Sequence, residues 1–429
     1  MAFRLPAILR ALRFRGPEPE ILAGLSEAQW HPLLAQADRA RLTLPLGVRC
    51  RAWLPAGVQA RIDRDLANNA ERRRRMLATC LDLSSAFREH GVRFVFLKGL
   101  THWPYFCDDP ALRPQYDIDV FCPKPQLERA RNAAARLGFA PVPGRSDGPV
   151  DHLPTMIQKA TWRWRGDYYD PELPPLLELH FRFWDDGTEG IRVDAVERFW
   201  NRRVIRQAGE SAFPALSLPD TLSYAGLHLV KHLLRGNLRP YHVYELAHFL
   251  ERSAGDSAFW GEWADLAPAS SRSVQAVAFR LAADWFACRL HSVAQDAVDR
   301  LPRPVGEWFQ LFSLSPLTTL ERPNKDELLL HLCLLQDDVN RRGIVKRRLF
   351  PHPAKPVLDP HIEADTLWCK VRRAAYRYGF LASRGWSHAR GLLSLGRSYF
   401  RWWRLQGRTA GSPAAPGHQL SATVDTADR

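Results

Sequence analysis

The chain has 429 residues, 46% of them hydrophobic, enough to bury a core in two or three structural units. It has no apolar run of the roughly eighteen residues that a membrane-spanning helix needs. Its seven scattered cysteines include no CxxC pair, which argues against a zinc site and for a reducing, cytoplasmic setting. The net charge of +14, from 60 Lys+Arg against 46 Asp+Glu, suits partners that carry phosphate, although arginine is abundant along the whole chain and the balance reads first as composition.

Residues 1–57 read as short helices and connections. Arg10 and Arg13 interrupt the apolar N-terminal stretch, which is a poor secretory signal and a reasonable first helix. Ile62, Leu66, Ala70, Leu77, Leu81 and Phe87 predict a helix over 58–90, with the run Arg72–Arg75 on a solvated face, and Gly91 closes it. RFVFL (93–97) predicts a buried strand ending at Lys98-Gly99. A turn broken by Pro104 and a loop over 107–116 lead to a second strand, DIDVF (117–121). Pro125 opens a helix carrying Leu127, Ala130, Ala134 and Leu137, and Gly138 caps it. A strand is expected within 155–164, and LLELHFRF (176–183) shows the clearest alternation in the chain. Beyond residue 190 the pattern is helical: Pro219-Asp220 opens a helix with Leu222, Ala225, Leu229 and Leu233 on one stripe, followed by helices near 241–252, 272–291, 325–340 and 366–380.

Alternate residues of a strand share a face, so Asp117 and Asp119 point one way while Ile118 and Val120 point into a core. Their α carbons lie roughly 6–7 Å apart, close enough for both carboxylates to serve one Mg²⁺ or two adjacent ions. In the 176–183 strand, Glu178, His180 and Arg182 form the polar face opposite Leu177, Leu179, Phe181 and Phe183. If the two strands are neighbours, Glu178 becomes a third carboxylate, and three crowded carboxylates call for a cation among them. Such a site suits phosphoryl or nucleotidyl transfer: two metal ions clamp the attacking and leaving oxygens, and the third carboxylate takes the proton of the attacking hydroxyl. Lys98 and the Gly99 backbone are placed to meet a triphosphate, and Arg113 to hold a phosphate or lock the loop.

The segment GVRFVFLKGLTHWPYFCDDPALRPQYDIDVFCPKPQLERARNAAARLGF (91–139), together with LLELHFRFW (176–184) and LSYAGLHLVKHLL (222–234), resembles the uncharacterised bacterial nucleotidyltransferase family, over roughly residues 20–350. The resemblance implies an α+β, polymerase-β-like core, a small mixed sheet with flanking helices. It places that core at 91–190, after a helical N-terminal segment (1–90) and before a helical C-terminal region (191–405). The stretch 406–429 lacks a core pattern and reads as a disordered tail. The resemblance also implies Asp117 and Asp119 as the metal-binding pair, Glu178 as the third carboxylate, Mg²⁺ as cofactor and an NTP such as ATP as substrate. Lys98-Gly99 stands where better-known nucleotidyltransferases carry Gly-Ser. The family leaves the acceptor open: a small molecule, sugar or peptide is expected before nucleic acid.

His228 and His232, four apart on one helical face, read either as packing residues or as site-lining groups that touch the nucleotide or acceptor or bind a metal, with Arg235 and Arg239 near the same stripe. YFRWWRLQ (399–406) reads as a terminal helix docked on its own protein in preference to a peripheral membrane or nucleic-acid contact. The alternative to an enzyme is a catalytically inactive nucleotide- or partner-binding protein on the same fold. A nucleic-acid binder ranks last, for want of a recognition motif.

Overall fold

The computed structural model describes residues 5–142, 151–158, 162, 164–320, 322–350 and 367–410. Three short helices open the chain: α1 (Leu5–Ala11), α2 (Glu27–Ala40) and α3 (Thr43–Arg49). The long α4 (Ala56–Glu89) follows, then β1 (Val95–Phe96), β2 (Asp117–Phe121), α5 (Leu127–Arg136), β3 (Phe139–Pro141), β4 (Met156–Gln158) and β5 (Leu176–His180). A single turn, α6 (Asp186–Glu189), precedes the hairpin β6 (Val204–Ala208) and β7 (Ser211–Ala215). The rest is helical: α7 (Leu218–Leu234), α8 (Pro240–Ser253), α9 (Ser257–Leu266), α10 (Ala269–Phe286), α11 (Ser292–Asp299), α12 (Arg303–Phe312), α13 (Ser315–Thr318), α14 (Glu327–Leu334), α15 (Asp338–Leu349) and α16 (Leu367–Ala410).

The strands form one seven-stranded mixed sheet in the order β3-β4-β5-β2-β1-β7-β6, giving the α+β class read from the sequence. β2 runs parallel to β5, and β1 lies antiparallel to β2 and parallel to β7. One sheet face is apolar. Ile118, Val120, Leu177 and Leu179 pack there against Met76, Leu83 and Phe87 of α4 and Leu127, Ala130 and Ala134 of α5. Phe96 sets its edge against Phe213 at 5.3 Å, and burying a ring of this kind stabilises the fold by roughly 1.5–3 kcal/mol. The chain reaches β1 because α4 stops sharply. Gly91 takes a left-handed φ of +62° while its N–H bonds Arg88 O and the Val92 N–H bonds Phe87 O, the paired bonds of a Schellman cap.

A second core joins the opening helices to the C-terminal ones. Leu5, Ile8 and Trp30 share it with Leu229, Phe279 and Trp308, and the Phe14 N–H bonds Phe286 O at 2.8 Å. α10 at its centre packs on both α7 and α8.

Several expectations need correction. Arg72 is buried, not solvated: its guanidinium bonds Tyr168 O at 2.7 Å and Asp170 O at 3.0 Å and lies 4.7 Å over the Tyr116 ring. The region after residue 190 is not purely helical, because the β6–β7 hairpin adds two strands to the sheet, turning at Gly209 with φ +67°. The helix expected over 325–340 is two, since Asp337 accepts the Asn340 N–H at 2.7 Å and starts α15 afresh. The last helix continues far past residue 380, through 406–410 of the expected tail, while 411–429 lie outside the described residues. The strand expected within 155–164 occupies only 156–158, and 159–161 and 163 lie outside the described residues. Six described cysteines are free.

Candidate active site

The other sheet face carries the charge. Parallel pairing sets Asp119 opposite Glu178 and Phe121 opposite His180, so β2 and β5 turn Asp117, Asp119, Glu178 and His180 to one side. His180 Nε2 donates to Asp119 Oδ1 at 3.1 Å and lies 3.7 Å from Glu178 Oε2. Thr155 donates to Glu178 Oε1 at 3.1 Å, and His152 stands 3.7 Å from its other oxygen. The Asp119 side chain is buried, whereas those of Asp117 and Glu178 are 32% and 21% exposed and open to solvent.

Lys98 reaches in from the end of β1. Its Nζ lies 3.2 Å from Asp119 Oδ2, 3.6 Å from Asp117 Oδ2 and 3.3 Å from His228 Nε2, to which it donates. Burial pulls its pKa down, but Asp117, Asp119 and Glu178 outweigh that and leave it raised, so the side chain is an ammonium. Asp119 shows the converse: burial opposes its charge, yet Lys98 and His180 hold it well below the usual carboxylate range. Among the described residues Asp119 Oδ2 makes no hydrogen bond, and the charge that faces it is that of Lys98.

Gly99 has a specific structural task. Its φ is +75°, and a Cβ there would meet Gln115 Nε2 at 2.4 Å. Gln115 lies across the turn and donates from Nε2 to Asp117 O at 2.9 Å, steadying the start of β2. The close approach that glycine permits is therefore made by a protein carboxamide, not left open for a triphosphate. Arg113 locks the loop: its Nε donates to Glu245 Oε1 on α8 at 2.6 Å, deep in the protein, and Asn69 of α4 donates to its carbonyl at 3.2 Å. Burial alone would push the Glu245 carboxyl up, but Arg113 and His102 bring it down to about 2. Arg235 is likewise engaged, with Glu189, at 2.8 Å from Nε.

α7 covers the polar face. His228 Nε2 sits 3.0 Å from His232 Nε2, and His232 Nδ1 lies 2.9 Å from Asn237 Oδ1. His242 of α8 completes a triad of imidazoles, with ring centroids 5.6 Å and 5.9 Å from those of His228 and His232. Burial, with nearby cations, lowers all three, His232 to about 3, so they are neutral at physiological pH. One turn before His228, Tyr224 is buried, and its hydroxyl makes no hydrogen bond among the described residues. Burial, then the Asp119, Asp151 and Glu178 carboxylates, raise its pKa.

Sequence reasoning passed over Tyr224, His242, His152 and the buried Lys231–Asp151 pair at 2.7 Å. Extending the four-residue spacing of His228 and His232 backwards finds Tyr224. No comparable signal marks His152, which reaches the site by an isolated bridge to His180.

Beside the N-terminal ends of β2 and β5 opens a cavity of about 590 Å³, lined among others by Arg41, Tyr116, Trp162, Trp164, Tyr168 and Arg239. Arg41 stacks 4.0 Å over Tyr116. Burial lowers the pKa of Arg239, and the charge of Arg41 lowers it further. Among the described residues no carboxylate ion-pairs with either guanidinium.

Among the described residues, the one trio whose ligand atoms all lie within 4.8 Å of one another is Asp119, Glu178 and His180. Two carboxylates and an imidazole fit a divalent cation, and the hydrogen-bond-free Asp119 Oδ2 fits the same need. A family model described as an uncharacterised nucleotidyltransferase matches residues 26–287. No curated protein and no solved structure matches the chain.

Proposed function

Since the chain belongs to this uncharacterised nucleotidyltransferase family, we propose that it transfers a nucleoside monophosphate from an NTP to an acceptor, with a divalent cation, Mg²⁺ in the first instance. The observation that carries the reading is the register of Asp119 against Glu178, which gathers Asp117, Asp119, Glu178 and His180 around Lys98.

Asp117 and Asp119, with His180 and Glu178 beside them, would hold the cation, which when bound neutralises the phosphates and the departing pyrophosphate. Three carboxylates against one ammonium leave two negative charges, which a single divalent cation balances. Lys98 already answers the side of the cluster between the two aspartates. Calorimetric titration that finds one cation per chain supports this arrangement, and two favours the paired-ion form. Glu178, partly exposed and steadied by Thr155, takes the proton from the acceptor hydroxyl. Lys98 donates to the phosphate oxygens on which charge develops.

The nucleotide's place is the cavity beside β2. Its volume is in the range of small-molecule sites, its Trp and Tyr rings suit a base, and Arg41 and Arg239 bring two positive charges with no carboxylate partner among the described residues. The test is pyrophosphate release from a panel of NTPs with Mg²⁺ and candidate acceptors. Asp119→Ala should remove cation-dependent NTP binding, and Glu178→Gln should abolish transfer even at cation and NTP concentrations that saturate binding. Gln115 covering Gly99 favours a second reading, an inactive nucleotide-binding protein. Tight NTP binding with no pyrophosphate from any acceptor would select it.

A further inference from the structure

Helix α16 is the longest element in the molecule, 44 residues or about 66 Å of helix. Its sequence contains ten Lys and Arg and no Asp or Glu. One stripe of it docks on the protein. Gly391 and Ser398 are buried, Leu395 and Trp402 pack on the helical core, Arg401 lies 5.8 Å from the Phe312 ring centroid, and His388 Nε2 donates to Leu349 O at 3.0 Å. The expected docking of the 399–406 segment is thus met by Trp402, while its neighbours Tyr399, Phe400 and Trp403 face solvent.

The opposite side has no cover among the described residues. At 3.6 residues per turn, Val371, Tyr378, Trp386, Leu393, Phe400 and Trp403 fall within an arc of roughly 100°, centred opposite the docked stripe. Trp386 is 68% exposed, Leu393 70% and Trp403 57%. Exposed Arg390, Arg397 and Arg404 follow one another at seven-residue spacing in a row along one edge of that arc, and Arg404 folds back to 4.2 Å over the Phe400 ring. At the end of α15, beside His388, Phe350 is also exposed.

We propose that this outward face of α16 lies on a membrane surface that carries anionic lipid headgroups. Large apolar and aromatic side chains on one arc match the boundary between headgroups and acyl chains, where indole and phenol rings settle, and the arginine row beside them lies at the level of the lipid phosphates. No helix among the described residues is long and apolar enough to cross a membrane, and α16 with its arginines lies on the surface instead. Charge argues against the other occupants. A second copy would bring the same uncompensated arginines face to face, and a nucleic acid would leave Val371 and Leu393 unused. The inference is independent of the chemistry at the sheet.

The test is flotation of the full-length chain with vesicles of phosphatidylcholine mixed with phosphatidylserine, compared with phosphatidylcholine alone. The chain is expected to float with the anionic vesicles and to lose most of that binding on the neutral ones. The triple variants Trp386→Ser/Leu393→Ser/Trp403→Ser and Arg390→Glu/Arg397→Glu/Arg404→Glu should each weaken binding roughly tenfold or more. Their NTP binding should stay unchanged, because none of the six substituted residues lines the cavity beside β2. If either variant fails to fold, quenching of wild-type tryptophan fluorescence by brominated lipids decides, and quenching is expected. Absence of flotation, binding that neither variant alters, absence of quenching, or a dimer or nucleic-acid complex that forms through Trp386 in place of vesicle binding overturns the proposal.

Discussion

The two faces of β2 are built from neighbouring residues and obey different rules. Ile118 and Val120 meet the apolar sides of α4 and α5, where what counts is filled volume. Asp117 and Asp119 meet Lys98 and His180, where what counts is the balance of charge against burial. On the apolar face a methyl group can be lost and the fold persists. On the polar face every group answers another, so one deletion strands its partner in a place water barely reaches.

That contrast can be broken most directly at Asp119. Asp119→Asn keeps the shape and removes the charge, and nucleotidyl transfer should fall by roughly 10³-fold or more while the fold survives. Pyrophosphate assays near the wild-type rate would remove Asp119 from the chemistry. Next in size is the lock behind the site. Arg113→Met leaves Glu245 in the interior with only His102 beside it and should cost about 3–5 kcal/mol in urea denaturation. An unchanged unfolding midpoint would show the pair to be dispensable.

Acid should loosen the polar side first. Glu245 drops from an ordinary 4.5 to about 2 on folding, so its contribution is complete above pH 4.5 and is lost as pH falls toward 2. His232 drops from 6.5 to about 3, because the fold holds it neutral where the unfolded chain would protonate it. Its contribution is complete above pH 6.5 and is lost on the way down to 3. The unfolding midpoint should therefore decline from near pH 6.5 downward, and His232→Gln should flatten the upper part of that decline. A flat profile between pH 6.5 and 3 in the wild type would contradict the buried imidazoles.

The apolar face should yield less. Ile118→Val should cost about 0.5–1.5 kcal/mol and leave the activity of the folded fraction unaltered. A loss of rate per folded molecule would mean that the two faces are coupled through the strand. The smallest effect belongs to the solvent-exposed pair Arg74–Glu71 on α4, where Arg74→Ala should leave the urea unfolding midpoint unchanged.

The period-two alternation in DIDVF and LLELH made both faces legible, because a strand with one apolar side writes that side into every second residue. What the sequence could not show was who answers the carboxylates. Lys98 is near them in the chain, but His228, His242 and His152 arrive from separate elements, and the fold alone decides which face of α7 meets the sheet. Arg72 misled for a related reason. A run of four arginines looks solvated by composition, yet the first falls on the buried stripe of α4 and finds backbone carbonyls there. The β6–β7 hairpin was readable in part, since Gly209-Glu210 separates two five-residue stretches, but Val204 and Ile205 face outward and blur the alternation.

β1 is only two residues long, yet it lies between β2 and a strand that arrives far later in the chain. A growing polypeptide that has not reached Ala215 leaves β1 with bare amide and carbonyl groups on one side, inviting any passing strand to pair. During synthesis, the half-made sheet must wait for its closing piece, and a fragment cut at the end of β5 keeps both acidic strands while remaining adhesive along that open seam.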